Sequence, residues 1–329
     1  MSPLSKDSIT NKNGGKSAIS QFLAKNMILI ALVVLCIILA ILTDKFLTVK
    51  NVMNILIQST TMGVVAIGMT FVIVTGGIDL SVGSVVALAA ALGAGAMKAG
   101  LPFGLGILVM LIVATVFGTA QGLLISYVKM PAFIVTLGGM SIGRGLLMVY
   151  LQGKTISGLP NEFQFLGNGY IFNVIPVVVI ILAVVFIIAF YVLKYTTFGR
   201  GVYALGGNRE ATELSGINTK KIETCVYAIS GLMSGLGAMI LASRLGSAVP
   251  TAGEGLELDA IGAVVIGGAS LSGGRGTIRG TLIGILILGV LNNGLNLLNV
   301  DPFFEGVVQG AVILIAVFID TMKKRKEIS

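Results

Sequence analysis

The sequence predicts an all-α polytopic membrane protein with about ten transmembrane helices, some of them short or broken. Three observations carry that prediction. Hydrophobic residues make up 55% of the 329 residues and charged residues only 11%, with a mean hydropathy of +1.00, so too little polar surface remains to cover a soluble globule. The apolar residues fall into runs near the ~20 that a helix needs to cross a bilayer. The Lys and Arg behind the net charge of +8 sit mostly between those runs, which points to anionic headgroups rather than to nucleic acid.

Taken in order, residues 1–26 form a polar leader with Lys6, Lys12, Lys16 and Lys25. The leader is long and no A-x-A site closes the apolar run behind it, so Met27 to Thr43 reads as a retained first span and not as a signal peptide. After Lys45 and Lys50 come Val52 to Thr75, Val82 to Met97, Gly104 to Val128, Pro131 to Leu151, Val174 to Leu193, Thr224 to Ala242, Leu258 to Leu271, Thr277 to Leu298 and Glu305 to Thr321. The runs at Val82 and Leu258 are short and are expected to be broken, tilted or re-entrant. These spans make one membrane domain, residues 27–321, followed by a basic tail, residues 322–329.

Charge asymmetry orients the bundle. With the N-terminus in the cytoplasm, sixteen Lys and Arg fall inside: four in the leader, Lys129, five between residues 194 and 222, Arg275, Arg279, and Lys323, Lys324, Arg325 and Lys326. Five fall outside, namely Lys45, Lys50, Lys98, Lys154 and Arg244. Both termini are therefore expected in the cytoplasm.

Absences narrow the chemistry. The chain has no His, and its two cysteines, Cys36 and Cys225, lie in or beside apolar runs, so neither a disulfide framework, a zinc site nor a His-dependent base is expected. Two GK[ST] triplets occur, at Gly15-Lys16-Ser17 and Gly153-Lys154-Thr155, but a phosphate loop also needs Gly where Thr10 and Met148 stand. No catalytic residues, metal ligands or nucleotide site are expected in this chain.

The most informative segment is a polar island, Gly201 to Gly216, within the cytoplasmic loop 194–222. Asn208 is a good N-cap, Glu210 suits the first turn of a helix, and Gly216 is a natural C-terminal stop. Ala211, Leu214 and Ile217 recur at i, i+3 and i+6, with Arg209, Glu210 and Glu213 on other faces. Two turns are marginal alone, so the apolar stripe is expected to dock on the membrane domain and the polar face on water or a partner.

Glu210-Ala211-Thr212-x-x-x-Gly216 resembles the EAA-x-x-x-G loop on which ABC-importer permeases dock their ATPase, with Thr for the second Ala. Gly76-Gly77-Ile78-Asp79-Leu80-Ser81-Val82-Gly83, Tyr203-Ala204-Leu205-Gly206-Gly207-Asn208, Leu214-Ser215-Gly216-Ile217-Asn218, Pro250-Thr251-Ala252-Gly253, Glu257-Leu258-Asp259-Ala260, Gly267-Gly268-Ala269-Ser270-Leu271-Ser272-Gly273-Gly274 and Leu291-Asn292-Asn293-Gly294-Leu295-Asn296-Leu297-Leu298 agree with it. As a set they resemble the ribose-type branch of monosaccharide ABC permeases, from about Val52 to Asp320. The resemblance implies a homodimeric or pseudo-dimeric channel in the bacterial inner membrane. It would be served by an extracytoplasmic sugar-binding protein and driven by a separate ATPase that binds the ATP. The alternative is an ion-coupled secondary transporter, which would need ionisable groups near the midplane.

A neutral sugar needs hydrogen-bonding groups along its path. The candidates are Asn54, Gln58, Thr61 and Thr70 in the second span, Gln121 in the fourth, and Asn292, Asn293 and Asn296 late in the chain, although such residues also glue membrane helices together. Arg144 falls within a span, where it either faces a cavity or an acid (Asp79, Glu257 or Asp259) or snorkels. Gly76-Gly77 leads to Asp79 and Ser81, which are expected to cap the next helix, and Gly267-Gly268 echoes that turn. The GxxxG pairs Gly118/Gly122, Gly139/Gly143, Gly231/Gly235, Gly280/Gly284 and Gly306/Gly310 read as close helix packing.

Overall fold

The computed structural model describes residues 27–328; the leader and the first GK[ST] triplet lie outside them. The chain is helical, in the order α1 (Met27–Leu42), α2 (Val49–Val74), α3 (Val82–Lys98), α4 (Phe103–Ser126), α5 (Ala132–Leu151), α6 (Asn161–Asn168), α7 (Val177–Tyr195), α8 (Thr197–Gly207), α9 (Arg209–Leu214), α10 (Thr219–Leu245), α11 (Leu256–Ile266), α12 (Ile278–Leu297) and α13 (Pro302–Ile328). Two ladders of two-residue strands trim the loops, β1 (Ile156–Ser157) against β4 (Ser247–Ala248) and β2 (Tyr170–Ile171) against β3 (Ile175–Pro176).

The helix boundaries follow local chemistry. Pro102, Pro131, Pro160 and Pro176 each immediately precede a helix, α4, α5, α6 and α7, because proline fixes φ while its missing N–H is lost where no intrahelical acceptor exists. Hydroxyl or amide side chains cap others: Thr48 accepts from Asn51 N, Asn218 from Lys221 N and Thr277 from Gly280 N.

Six helices, α2, α4, α5, α7, α10 and α12, are long and apolar enough to cross a membrane. The helices α1, α3 and α11 and the Gly306–Ile315 stretch of α13 are apolar but shorter. Each of the ten apolar runs in the sequence thus forms a helix, while length and composition together qualify six. The bundle is layered around α2, where 89% of the residues in the apolar 18-residue stretch are buried, whereas in the corresponding stretches of α4, α5 and α7 only 22–28% are; these helices turn Val116, Ile142 and Ile187 outward, as helices facing lipid do. The basic tail is not a separate segment, since α13 runs on to Ile328.

Small residues set the closest helix approaches. A Cβ on Gly118 would meet the Tyr227 carbonyl, and one on Gly231 the Ala114 carbonyl, so α4 and α10 touch backbone to backbone. Gly139/Gly143 lie against Gln121 and Ser84, and Gly280/Gly284 against the end of α11. Gly306 and Gly310 are the exception: no atom comes within 4 Å of a Cβ placed there, so that pair packs no helix within the described chain.

Two glycine turns meet. Gly76, at φ +84°, donates to Ile73 O while Gly77 donates to Val72 O; Gly268, at φ +87°, donates to Val265 O while Ala269 donates to Val264 O. Both are the same left-handed helix stop, so the sequence echo is also a structural one. The two turns touch through Gly274 N donating to Val74 O at 2.9 Å.

Two helices escape the sequence reading. Gly201 to Gly207 is not loop but the end of α8, whose first turn is capped by Thr196 Oγ1 accepting from Gly199 N. In α6, Phe163 is wholly buried and Asn168 ties the helix to the Ser243 and Arg244 carbonyls.

Candidate functional site

The candidate residues separate into two groups at opposite ends of α10, whose 27 residues span about 40 Å. At its N-terminal end lies α9. Asn208 caps this helix, its Oδ1 accepting from Ala211 N at 2.9 Å, and Gly216 ends the segment at φ +78°, as the sequence predicts. The side-chain directions reverse the expectation. Leu214 is 90% exposed, Ile217 is 36% exposed and Ala211 is exposed, so the apolar stripe faces outward. Thr212 is the buried residue.

The polar residues are what hold α9 down. Arg209 grips Glu223 of α10 with two parallel bonds of 3.0 and 2.7 Å, and its Nε reaches Glu213 at 3.4 Å. Glu213 accepts from the Thr219 hydroxyl at 2.6 Å. The Glu223 partner raises the Arg209 pKa. The Thr219 hydroxyl holds the Glu213 carboxyl below its ordinary value, with the Lys129 and Arg209 charges adding to that effect. A six-residue helix cannot stand alone; this bidentate clamp is what fixes it. Glu210 remains exposed.

At the other end of α10, a cleft of about 280 Å³ opens between the first half of α2, the last turns of α10 and α12, and the start of α11. Of the candidates, Gln58, Thr61, Asn292 and Asn296 line it. Asn54 is exposed elsewhere on α2.

The remaining path candidates are tied to other helices or loops. Thr70 shares a 2.7 Å bond with Thr281, and Asn293 exchanges two 2.9 Å bonds with Asn51, so these pairs join α2 to α12. Gln121 accepts from Ser81 at 3.0 Å. Arg144 takes no acid among the described residues as a bonded partner; it donates to the Pro250 and Ala252 carbonyls at 3.1 and 3.0 Å and pins the loop before α11. Asp79 is also structural, although not as a simple cap: it accepts from Ser81 N, Ser81 Oγ and Ser230 Oγ. The Ser81 hydroxyl is thereby turned away from its own helix, so it does not cap α3.

Sequence reasoning missed Ser59, Arg244, Glu254 and Asp259 as lining of the cleft. Arg244 carried only the signal of a charge at the end of an apolar run, and Ser59 none beyond its place next to Gln58.

Comparison with known proteins identifies the family. The family model described as branched-chain amino acid transport system / permease component matches residues 51–317. The ribose import permease protein RbsC of Bacillus subtilis is 51% identical over 296 residues, 89% of this chain and 92% of that one. That of Haemophilus influenzae is 46% identical over 314 residues, 94% and 97% of the two chains. The xylose transport system permease protein XylH of Haemophilus influenzae is 34% identical over 362 aligned positions, 91% and 96% of the two. No solved structure matches the chain. The chain therefore belongs to this family of transport-system permease components, with ribose import permeases among its relatives.

Proposed function

We propose that the chain is the membrane-spanning subunit of an ATP-binding-cassette importer that carries a monosaccharide, ribose first, across the bacterial inner membrane. The kinship with ribose import permeases supports the substrate. The observation that carries the mechanism is α9: Arg209 and Glu213 are consumed in holding it to α10, while Ala211, Leu214 and Ile217 are left facing outward. An exposed leucine on a clamped surface helix is what a separate ATPase would grip. Asn208, Arg209, Glu210, Ala211, Glu213, Leu214, Gly216 and Ile217 form this docking element. ATP then binds to the partner subunit, and this chain needs no cofactor.

The same reading puts about ten helices in the bilayer, α1 to α5, α7 and α10 to α13. The short members α3 and α11 each abut a glycine turn inside the bundle: Asp79, just before α3, meets Ser230 about 17 Å along α10. The positive-inside bias puts both termini and α9 in the cytoplasm, so the cleft opens outward, where a sugar-binding protein would deliver its load. A second copy of the chain completes the channel as a homodimer.

The test is reconstitution. The chain alone in liposomes is expected to accumulate no sugar under an ion gradient and to hydrolyse no ATP; uptake should appear only with the ATPase and the binding protein supplied. Concentrative uptake by the chain alone would establish a secondary transporter instead.

A further inference from the structure

Resting on the reading above, we infer that the outward cleft is itself a binding site for a neutral polyhydroxyl solute, and that Arg244 is the residue that reads it.

The cleft carries polar groups with nothing to bond. Ser59 is 3% exposed and Thr61 6%, both line the cleft, and among the described residues neither hydroxyl has a hydrogen-bond partner. A buried hydroxyl left unpaired costs about 1–3 kcal/mol, so two in one wall are a standing penalty that a ligand with hydroxyls can relieve. On the helical wheel, Thr61, Gln58, Met62 and Ser59 fall within an arc of roughly 160°. The two orphans thus flank the face that α2 presents to the cleft. A Cβ at Gly289 would strike the Ser59 hydroxyl, so only glycine leaves that flank open.

Arg244 adds five donors in a fixed fork. It is half-buried at the end of α10, and among the described residues it forms no salt bridge, hydrogen bond or ring contact through its guanidinium. Glu254 and Asp259 share the same lining. One cation and two carboxylates disfavour an anionic solute. A zwitterionic amino acid with a branched aliphatic side chain would leave the Ser59 and Thr61 hydroxyls and the Gln58 amide facing hydrocarbon. A site built to bond hydroxyls rejects an analogue that lacks them. A cavity of about 280 Å³ lies just under the range for drug-sized ligands, which suits a pentose.

The experiment is equilibrium dialysis of the purified chain in nanodiscs, without ATPase or binding protein, against labelled ribose and labelled leucine, alongside uptake by the reconstituted importer. Saturable ribose binding with no saturable leucine binding is expected. Arg244→Gln should weaken ribose binding by about tenfold or more, and it should raise the KM of uptake while still capturing the ATPase. Ser59→Ala removes an unpaired group, so it should weaken binding without lowering the thermal stability of the empty chain; a merely structural serine would do the reverse. Absence of saturable ribose binding, preference for leucine, or equal binding by wild type and Arg244→Gln would overturn the site. If wild-type importer still takes up ribose in that event, the permease reading stands and only the site falls.

Discussion

The two ends of α10 solve opposite problems. At the α9 end Arg209 is spent on Glu223 and Glu213 on Thr219, and the exposed face carries Ala211, Leu214 and Ile217 beside Glu210. In the cleft the groups without a partner among the described residues are polar: the Ser59 and Thr61 hydroxyls and the Arg244 guanidinium. On the proposed reading, each end offers its partner what it leaves exposed or unpaired, a protein surface at one and a hydroxylated solute at the other. The partnered groups, such as Arg144 on the Pro250 and Ala252 carbonyls, are construction.

The sharpest way to break this contrast is Leu214→Glu. The side chain touches nothing in the chain that matters for folding, being 90% exposed, so the variant should insert and express normally. A central apolar anchor of an interface is worth about 2 kcal/mol or more, so ATPase capture should fall by about thirtyfold or more, and sugar uptake with it. Capture at wild-type level, read by co-purification in mild detergent, would move the docking surface elsewhere. Gly216→Leu acts on the same element by strain of about 1–2 kcal/mol at φ +78°, and since a Cβ there meets nothing within 4 Å, its effect should be the smaller of the two.

Asn293→Leu probes a partnered group. It strands the Oδ1 of Asn51, a residue 7% exposed, while the Asn51 amide nitrogen keeps the Phe46 carbonyl, and should cost about 1–3 kcal/mol of stability as a lower unfolding temperature in detergent. Transport by the surviving fraction should keep its KM, unlike that of Arg244→Gln.

The smallest expected effect is in pH. The Glu213 pKa in the folded chain lies below its ordinary value of 4.5, so its contribution to anchoring α9 is fully present above that value and is lost as pH falls through the lower folded one. Hydrogen-exchange protection at Ala211 to Ser215, taken relative to the intrinsic rate at each pH, should be constant at neutral pH and fall only under strong acid. Glu213→Gln should remove that dependence.

Much of this fold is legible in the sequence because a bilayer enforces it. Ten apolar runs gave ten helices, and Asn208 and Gly216 bounded α9 through capping chemistry that acts within four residues. What stayed illegible depends on neighbours distant in sequence. The stripe of Ala211, Leu214 and Ile217 looked like a buried face because a period of 3.6 marks an apolar side without saying which side is inward; only Glu223, ten residues beyond Glu213, turns it out. Thr70 and Asn293 looked as suited to a sugar path as Thr61 and Gln58, since a polar residue in a span reads alike whether its partner is another helix or a solute. Helix α6 was missed because eight residues with one buried aromatic carry too short a pattern.

A docking role for α9 is tested most directly by the accessibility of a single cysteine at Leu214→Cys, in a background lacking Cys36 and Cys225. Labelled with a membrane-impermeant thiol reagent, it is expected to react in inside-out vesicles and not in right-side-out ones, and to be protected when the ATPase is bound. Reaction from the outer face, or labelling that the ATPase leaves unchanged, would contradict the assignment of α9 as the docking surface.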